Sequence, residues 1–343
     1  MPAFNSARFI SRAIESVRAQ SVEVVEILVV DDASTDDTAE VARALGARVI
    51  PMLHNGGPGA SRNAGIEAAT TEWIATLDAD DTWHPRKLEL QYAALELEPK
   101  IGLIFSDFDA VSLEDGRIHR PNIVLDDASF VKIARRPLTD VVDLLDFDAF
   151  MAELPSRSII LPSTALFRRS LALAVGGFST TVKAEDTEFF LRLTAATQTA
   201  FVHVPLLAYM RHYSQITANW ELDPVRMALY HHVMVRRASY HPLQIRGYRR
   251  QYTKLLYFIG ANALQNRRYV DAARSFLKAF AVAITRGALP ILYGVVTKSA
   301  AFGALRKRVP FSKSGRSQAG NRVETIPSSL YGIAIPWRGV AGA

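Results

Sequence analysis

The stretch TLDADDTW, residues 76–83, places Asp78, Asp80 and Asp81 within four positions, directly behind an apolar run. Like charges at that range repel by roughly 1 kcal/mol in water and by several at a protein surface. Either the three are turn residues facing solvent, or a positive group sits among them. An Asp-x-Asp suits a hard divalent cation. Mg2+ or Mn2+ takes one or two carboxylates and fills its remaining positions with phosphate oxygens and water. Alone the pattern is weak, because Asp-x-Asp occurs by chance in many loops. A second acidic pair, Asp31-Asp32, follows the apolar run VVEILVV (24–30). One Asp after a strand is usually a helix cap. Two such pairs at the carboxyl ends of strands, where ligands bind in open parallel sheets, are harder to assign to capping.

HNGGPGASRNAG (54–65) is a glycine-rich turn feeding a helix. It lacks the Gly-Lys-Ser/Thr ending of a P-loop, and Arg62 stands where a dinucleotide fingerprint needs its third glycine. What remains is a helix whose first turn presents Arg62, a phosphate partner or one half of an ordinary salt bridge.

The elements that must position these groups alternate. Ile10, Ala13, Ile14 and Val17 recur at helical spacing, and VVEILVV is a strand buried on both faces. STDDTAEVARALG (34–46), ASRNAGIEAAT (60–70) and a segment opened by Pro85 and running to Leu97 are expected helices. ARVIPM and EWIATL are expected strands. This order implies a mostly parallel, doubly wound sheet. Beyond GLIFSD (102–107) the pattern loosens: SIILPSTALF (158–167) and FVHVPLLAYM (201–210) read as strands, and AEDTEFFLRLTAA (184–196) as a helix. From about 222 the chain reads as helices only.

Together these stretches resemble a known family. MPAFN (1–5), VVDDASTDDT (29–38), NGGPGASRNAGI (55–66) and TLDADDTWHPRKLE (76–89) are similar to the ordered motifs of glycosyltransferase family 2, nucleotide-sugar-dependent enzymes of GT-A fold. LPSTALFRRSLALAVGGF (161–178), AEDTEFFLRL (184–193) and YMRHYSQIT (209–217) extend the resemblance to about residue 217. It implies a role for each matched residue. Pro2, Ala3, Phe4 and Asn5 would line the nucleotide pocket. Asp32 would accept a hydrogen bond from the base, Asp31 would support the turn, and Arg62 would lie near the base or the diphosphate. Asp78-Ala79-Asp80 would be the DXD motif, with Asp80 the direct ligand of Mg2+ or Mn2+, Asp78 beside it and His212 a further ligand. Glu185-Asp186 would be the acidic pair whose Asp186 is the catalytic base. Arg211 and His212 would close over the diphosphate. The implied activity is inverting transfer of a sugar from a nucleotide-diphosphate donor to a glycan or lipid-linked acceptor, in bacterial cell-surface polysaccharide or glycolipid synthesis. The alternative is a non-catalytic nucleotide-sugar or membrane-surface binding protein that keeps the fold.

One departure stands out. Family members carry four or five apolar residues before Pro-x-Phe/Tyr-Asn, forming a first strand expected beside the one that carries Asp78. Here Met1 holds the end of that stretch, so the first strand is expected to be truncated and the natural start to lie upstream. The expected division is a catalytic domain over 1–220, a helical region over 221–308 and a disordered basic tail over 309–343.

Of the 343 residues, 49% are hydrophobic and 22% charged, the balance of a globular chain rather than a disordered one. With no cysteine, disulfides and thiolate metal sites are excluded, which fits a reducing, cytoplasmic compartment. The amino terminus lacks the basic start and apolar stretch of a secretory signal, and no apolar run reaches a membrane span. The net charge of +6 is concentrated in the tail, where Arg306, Lys307, Arg308, Lys313, Arg316, Arg322 and Arg338 are opposed only by Glu324. No nucleic-acid partner is expected. The carboxy-terminal helices and basic tail suit peripheral contact with the inner face of a membrane; packing against the catalytic domain is the other reading.

Overall fold

The computed structural model describes residues 1–284 apart from 157–158, 214, 216–221 and 267. Ile216, Thr217, the stretch 285–308 and the basic tail therefore lie outside the described residues. The elements are β1 (Pro2–Ala3), α1 (Ile10–Arg18), β2 (Leu28–Asp31), α2 (Thr38–Ala44), β3 (Arg48–Pro51), α3 (Gly57–Ala68), β4 (Trp73–Ala75), β5 (Thr82–Trp83) and α4 (Lys87–Leu97). There follow β6 (Ile101–Ser112), β7 (Ile118–Arg120), β8 (Arg135–Pro137), β9 (Val142–Leu145), α5 (Phe147–Glu153), β10 (Leu166–Arg168), α6 (Arg169–Ala174), α7 (Glu185–Ala195) and β11 (Gln198–Arg211). Last come α8 (Leu222–Val235), α9 (Pro242–Gln265) and α10 (Tyr269–Ile284).

The α/β class holds, and its parallel part is narrower than the alternation implies. β1, β2 and β3 form a parallel three-stranded sheet in that order. The apolar face of α1 (Ile10, Ala13, Ile14, Val17) is buried as its spacing requires. Ile10 and Ile14 join Ala3, Val29, Ala42 and Ala79 in one cluster. Each such Ile or Val contributes about 1.5–3 kcal/mol by leaving water. The second sheet runs β4-β10-β6-β11-β9-β8 and is mixed. β6 and β11 are parallel, whereas β10 is antiparallel to both β4 and β6. Pro2–Ala3 pairs with β2, and among the described residues no pairing joins it to β4, the strand leading to Asp78.

Two segments differ from their sequence reading for identifiable reasons. SIILPSTALF is a strand only over its last residues, because Pro162–Thr164 forms a 3-10 turn. That turn is tied inward: Thr76 Oγ1 donates to Pro162 O at 2.6 Å, and Trp83 Nε1 donates to Ser163 O at 2.8 Å. β6 continues five residues past Asp107, which reads as a strand end. The Asp107 carboxylate is buried and accepts the backbone N–H groups of Phe108, Val124 and Leu125. Burial pushes its pKa up to about 6.

Lys87 was not foreseen as a core residue. It is fully buried, its Nζ donating to Gln91 Oε1 at 2.8 Å and lying 4.3 Å from the Trp83 ring centre. Burial pulls its pKa down to about 7. From Leu222 to Ile284 the described residues fold into the three helices α8, α9 and α10. α9 starts at Pro242 behind a His241–Gln244 capping box. It meets α10 closely at Gly260, where a Cβ would stand 2.8 Å from the Phe276 ring.

Candidate active site

β2 delivers Asp31 and Asp32 to its carboxyl end, where both are buried. Asp32 accepts the N–H of Gly56 and of Gly57, each at 2.8 Å, so the glycine-rich turn closes onto this carboxylate. Gly57 needs to be glycine, since its φ is +81°. Asp31 Oδ1 accepts from Ser34 N at 3.3 Å and supports the adjoining turn. Asn5, at φ +47°, accepts from Thr35 N at 2.8 Å. Phe4 is exposed beside it and offers a ring face, whereas Pro2 is half-buried. Ala3 and Ala79 lie in the apolar cluster under the sheet, so their side chains pack inward.

The glycine turn opens α3, which carries Arg62 one turn in. Arg62 is buried and bridges two acids: Nη2 to Asp78 Oδ1 at 2.7 Å and Nη1 to Glu185 Oε1 at 3.0 Å. Its guanidinium lies 5.3 Å from the Phe178 ring centre. Asp78 and Glu185 hold its pKa above the ordinary arginine value despite burial. This locates the positive group that the acidic cluster calls for.

The three acids of residues 78–81 part company. Asp78 faces Arg62. Asp80 faces His212, whose Nε2 lies 3.1 Å from Asp80 Oδ2 and whose ring stacks on Phe9 with centres 4.8 Å apart. Asp81 turns inward, accepting from Ser163 Oγ at 2.7 Å and Met210 N at 3.1 Å. Ser163 Oγ in turn accepts the Asp78 N–H at 3.0 Å. The inward Asp81 therefore ties the acidic turn to the end of β11 that carries Arg211 and His212. Sequence reasoning placed Asp81 with its neighbours and did not single out Ser163. The only signal was that Asp80 and Asp81 cannot both cap the following helix.

The first turn of α7 presents Glu185 and Asp186. Asp186 Oδ1 accepts its neighbour Thr187 N at 2.6 Å, and its charge is in range of Arg62 and Asp78. Burial raises the pKa of Asp186, with Arg62 opposing the rise. Burial, then Asp186, pushes Glu185 up to about 7. Burial and Asp78 raise Asp80; burial, Asp80 and Asp78 raise Asp81 well above the carboxylate range. Arg211 is exposed at the end of β11.

The structure thus brings Arg62, Asp78 and Glu185 together, pairs Asp80 with His212, and joins Asp32 to the same helix through the glycine turn. Among the described residues no group of three or more His, Asp or Glu side chains stands close enough together to hold a metal by itself. The donor chemistry still fits Mg2+ or Mn2+. Asp80, Asp78 and His212 offer oxygen and imidazole donors around one acidic turn, and such ions complete their shell from phosphate and water.

Residues 1–173 match the family model "Glycosyl transferase family 2". The succinoglycan biosynthesis protein ExoO of Rhizobium meliloti (strain 1021) is 45% identical over 120 residues, which is 34% of this chain and 33% of that protein. The chain thus spans about a third of that relative's length. Among solved structures, S. aureus TarS 1-349 in complex with UDP-GlcNAc superposes with a TM-score of 0.58 at 18% identity, covering 81% of this chain and 77% of that one. The mannosyltransferase PcManGT from Pyrobaculum calidifontis, in complex with GDP-Man and Mn2+, gives 0.52 at 18% identity over 88% and 78%.

Proposed function

The chain belongs to glycosyltransferase family 2, and from that premise we propose that it transfers a sugar from a nucleotide-diphosphate donor to an acceptor hydroxyl with inversion at the anomeric carbon. The observation that carries this reading is the meeting of Arg62, Asp78 and Glu185 at 2.7 and 3.0 Å beside Asp186. Three separate motifs, the last more than a hundred residues beyond the first two, converge there on one charged cluster.

In the reaction so proposed, the acceptor oxygen forms a bond to the anomeric carbon as the bond from that carbon to the diphosphate breaks. The diphosphate leaves with the electron pair, and the acceptor's proton passes to Asp186. A single displacement with no enzyme nucleophile inverts the configuration. A carboxylate in hydrogen-bond reach of the hydroxyl contributes roughly 10²–10⁴-fold. Asp32 and the glycine turn hold the nucleotide end, with Phe4 and Asn5 at its rim. Exposed Arg211 is free to turn toward the diphosphate. Mg2+ or Mn2+ held by Asp80, with Asp78 and His212, would supply charge stabilisation to the leaving group. Arg62, already committed to two carboxylates, keeps the acidic wall compact.

The test is thermal stabilisation by a panel of nucleotide-diphosphate sugars with Mn2+. One donor should raise the melting temperature, and Asp80→Ala should remove the metal-dependent part of the rise. A panel that shifts nothing, or an Asp80→Ala variant that responds like wild type to donor with Mn2+, contradicts the assignment.

We assign the acceptor to cell-surface polysaccharide or glycolipid synthesis on the cytoplasmic side of the membrane, a reading supported by the relative named for succinoglycan biosynthesis. Among the described residues no helix is long and apolar enough to cross a membrane. Val270, Leu277 and Phe280 are exposed on one side of α10, flanked by exposed Arg274 and Lys278. An apolar stripe with cations at its margin suits an anionic lipid surface. The full chain should sediment with phosphatidylglycerol vesicles, and less so as Leu277→Ser/Phe280→Ser; equal sedimentation of both proteins excludes this face.

A further inference from the structure

At 3.6 residues per turn, Glu188 stands about 200° round α7 from Asp186, on the back of the helix. It is buried there and fully engaged. Oε1 accepts from Tyr240 Oη at 2.5 Å and Arg192 Nε at 2.7 Å, Oε2 accepts from Arg192 Nη2 at 2.5 Å, and His232 Nε2 lies 3.7 Å away. Arg192 also donates to Val175 O and, at 2.6 Å, to Gly177 O. The loop so gripped continues to Phe178, whose N–H and C=O both bond the side chain of Asn63 at 2.7 and 2.9 Å. Asn63 adjoins Arg62, and the Phe178 ring faces the Arg62 guanidinium. One turn farther along α7, Gln244 Nε2 donates to Leu191 O at 2.8 Å.

We propose that the segment after the catalytic fold is a positioning part of the active site: Tyr240, with Gln244, sets the rotation of α7 and hence where Asp186 points, while Arg192 carries the same constraint to Phe178 and Arg62. The inference rests on the reading of Asp186 as the base. Its physical basis is that a buried carboxylate demands its donors, so Glu188 fixes the back of the helix as rigidly as those donors are fixed. A misplacement of about 1 Å at a reacting group lowers a rate by about 10²-fold.

Tyr240→Phe in the full chain removes one hydroxyl and keeps the ring. It should lower kcat by about 10- to 100-fold at unchanged donor KM and unchanged donor affinity by calorimetry, measured well below its melting temperature. The control is Tyr252→Leu, which breaks the Tyr230–Tyr252 stack (ring centres 3.4 Å apart) within the same helices; it should lower the melting temperature and leave kcat alone. Wild-type kcat in Tyr240→Phe overturns the proposal, as does an equal fall in both variants. If Asp186→Asn is inactive while Tyr240→Phe is fully active, the positioning role fails and the base assignment stands. If Asp186→Asn turns over normally, the base assignment itself fails and takes the positioning role with it.

Discussion

Asp186→Asn is expected to lower kcat by about 10²–10⁴-fold while donor affinity stays close to wild type. The amide keeps the size of the side chain and its contact with Thr187 but cannot take a proton. Donor binding survives because Asp32, Asp78 and Asp80 are untouched. The sign of the pH dependence follows from burial. Asp186 is raised above the ordinary carboxylate value, and its neighbour Glu185 reaches about 7. A base must be deprotonated to act, so kcat/KM should fall as pH drops through the titration of this pair. The acid limb should lie above the range of about 4 for an unperturbed carboxylate. A variant that retains the wild-type rate removes Asp186 from the chemistry.

Arg62→Met is expected to be the most damaging change to stability at the site. Arg62 is buried between Asp78 and Glu185, and deleting one member of a buried ion network costs about 3–5 kcal/mol because the others remain without their countercharge. At about 2–4 °C per kcal/mol for a domain of roughly this size, the melting temperature should fall by about 10 °C. Arg62→Lys should fall between the two, since one ammonium cannot span two acids as a guanidinium fork does. Replacing Asp78 and Glu185 by Asn and Gln alongside Arg62→Met should recover part of the loss. A single variant melting within about 2 °C of wild type would mean that the bridge contributes little.

The identities of most groups at the site were legible in the chain because each sits in a local signal. Asp31-Asp32 follows an apolar strand, Arg62 follows a glycine turn, and Glu185-Asp186 open an amphipathic helix. What each carboxylate does was not legible. Asp78, Asp80 and Asp81 are three of four consecutive residues, yet they face Arg62, His212 and the Ser163–Met210 pair respectively. Those partners lie 16, 132, and 82 or 129 residues away in sequence. The direction of each side chain is set by the turn that follows β4, in which Asp81 N donates to Asp78 O at 3.1 Å. No periodicity encodes such a turn. The bounds of β10 and its place in the sheet were not legible for a related reason. Three residues carry too little alternation to be told from the preceding turn, and their place between β4 and β6 comes from pairing with both.

The amino-acid sequence by itself determined the order of strands and helices over about the first hundred residues and the positions of the acidic and arginine groups along them, because apolar periodicity and turn residues act over short range; its ordered motifs carried the resemblance to the family. Only the tertiary structure decided that Arg62 is a bridge between two motifs rather than a free cation, that Asp81 and Lys87 belong to the interior, and that Glu188 ties the last helices to the back of α7. The reason is that a buried charge takes its partner from whatever the packing of distant elements brings within about 3 Å, and the chain carries no local mark of that choice.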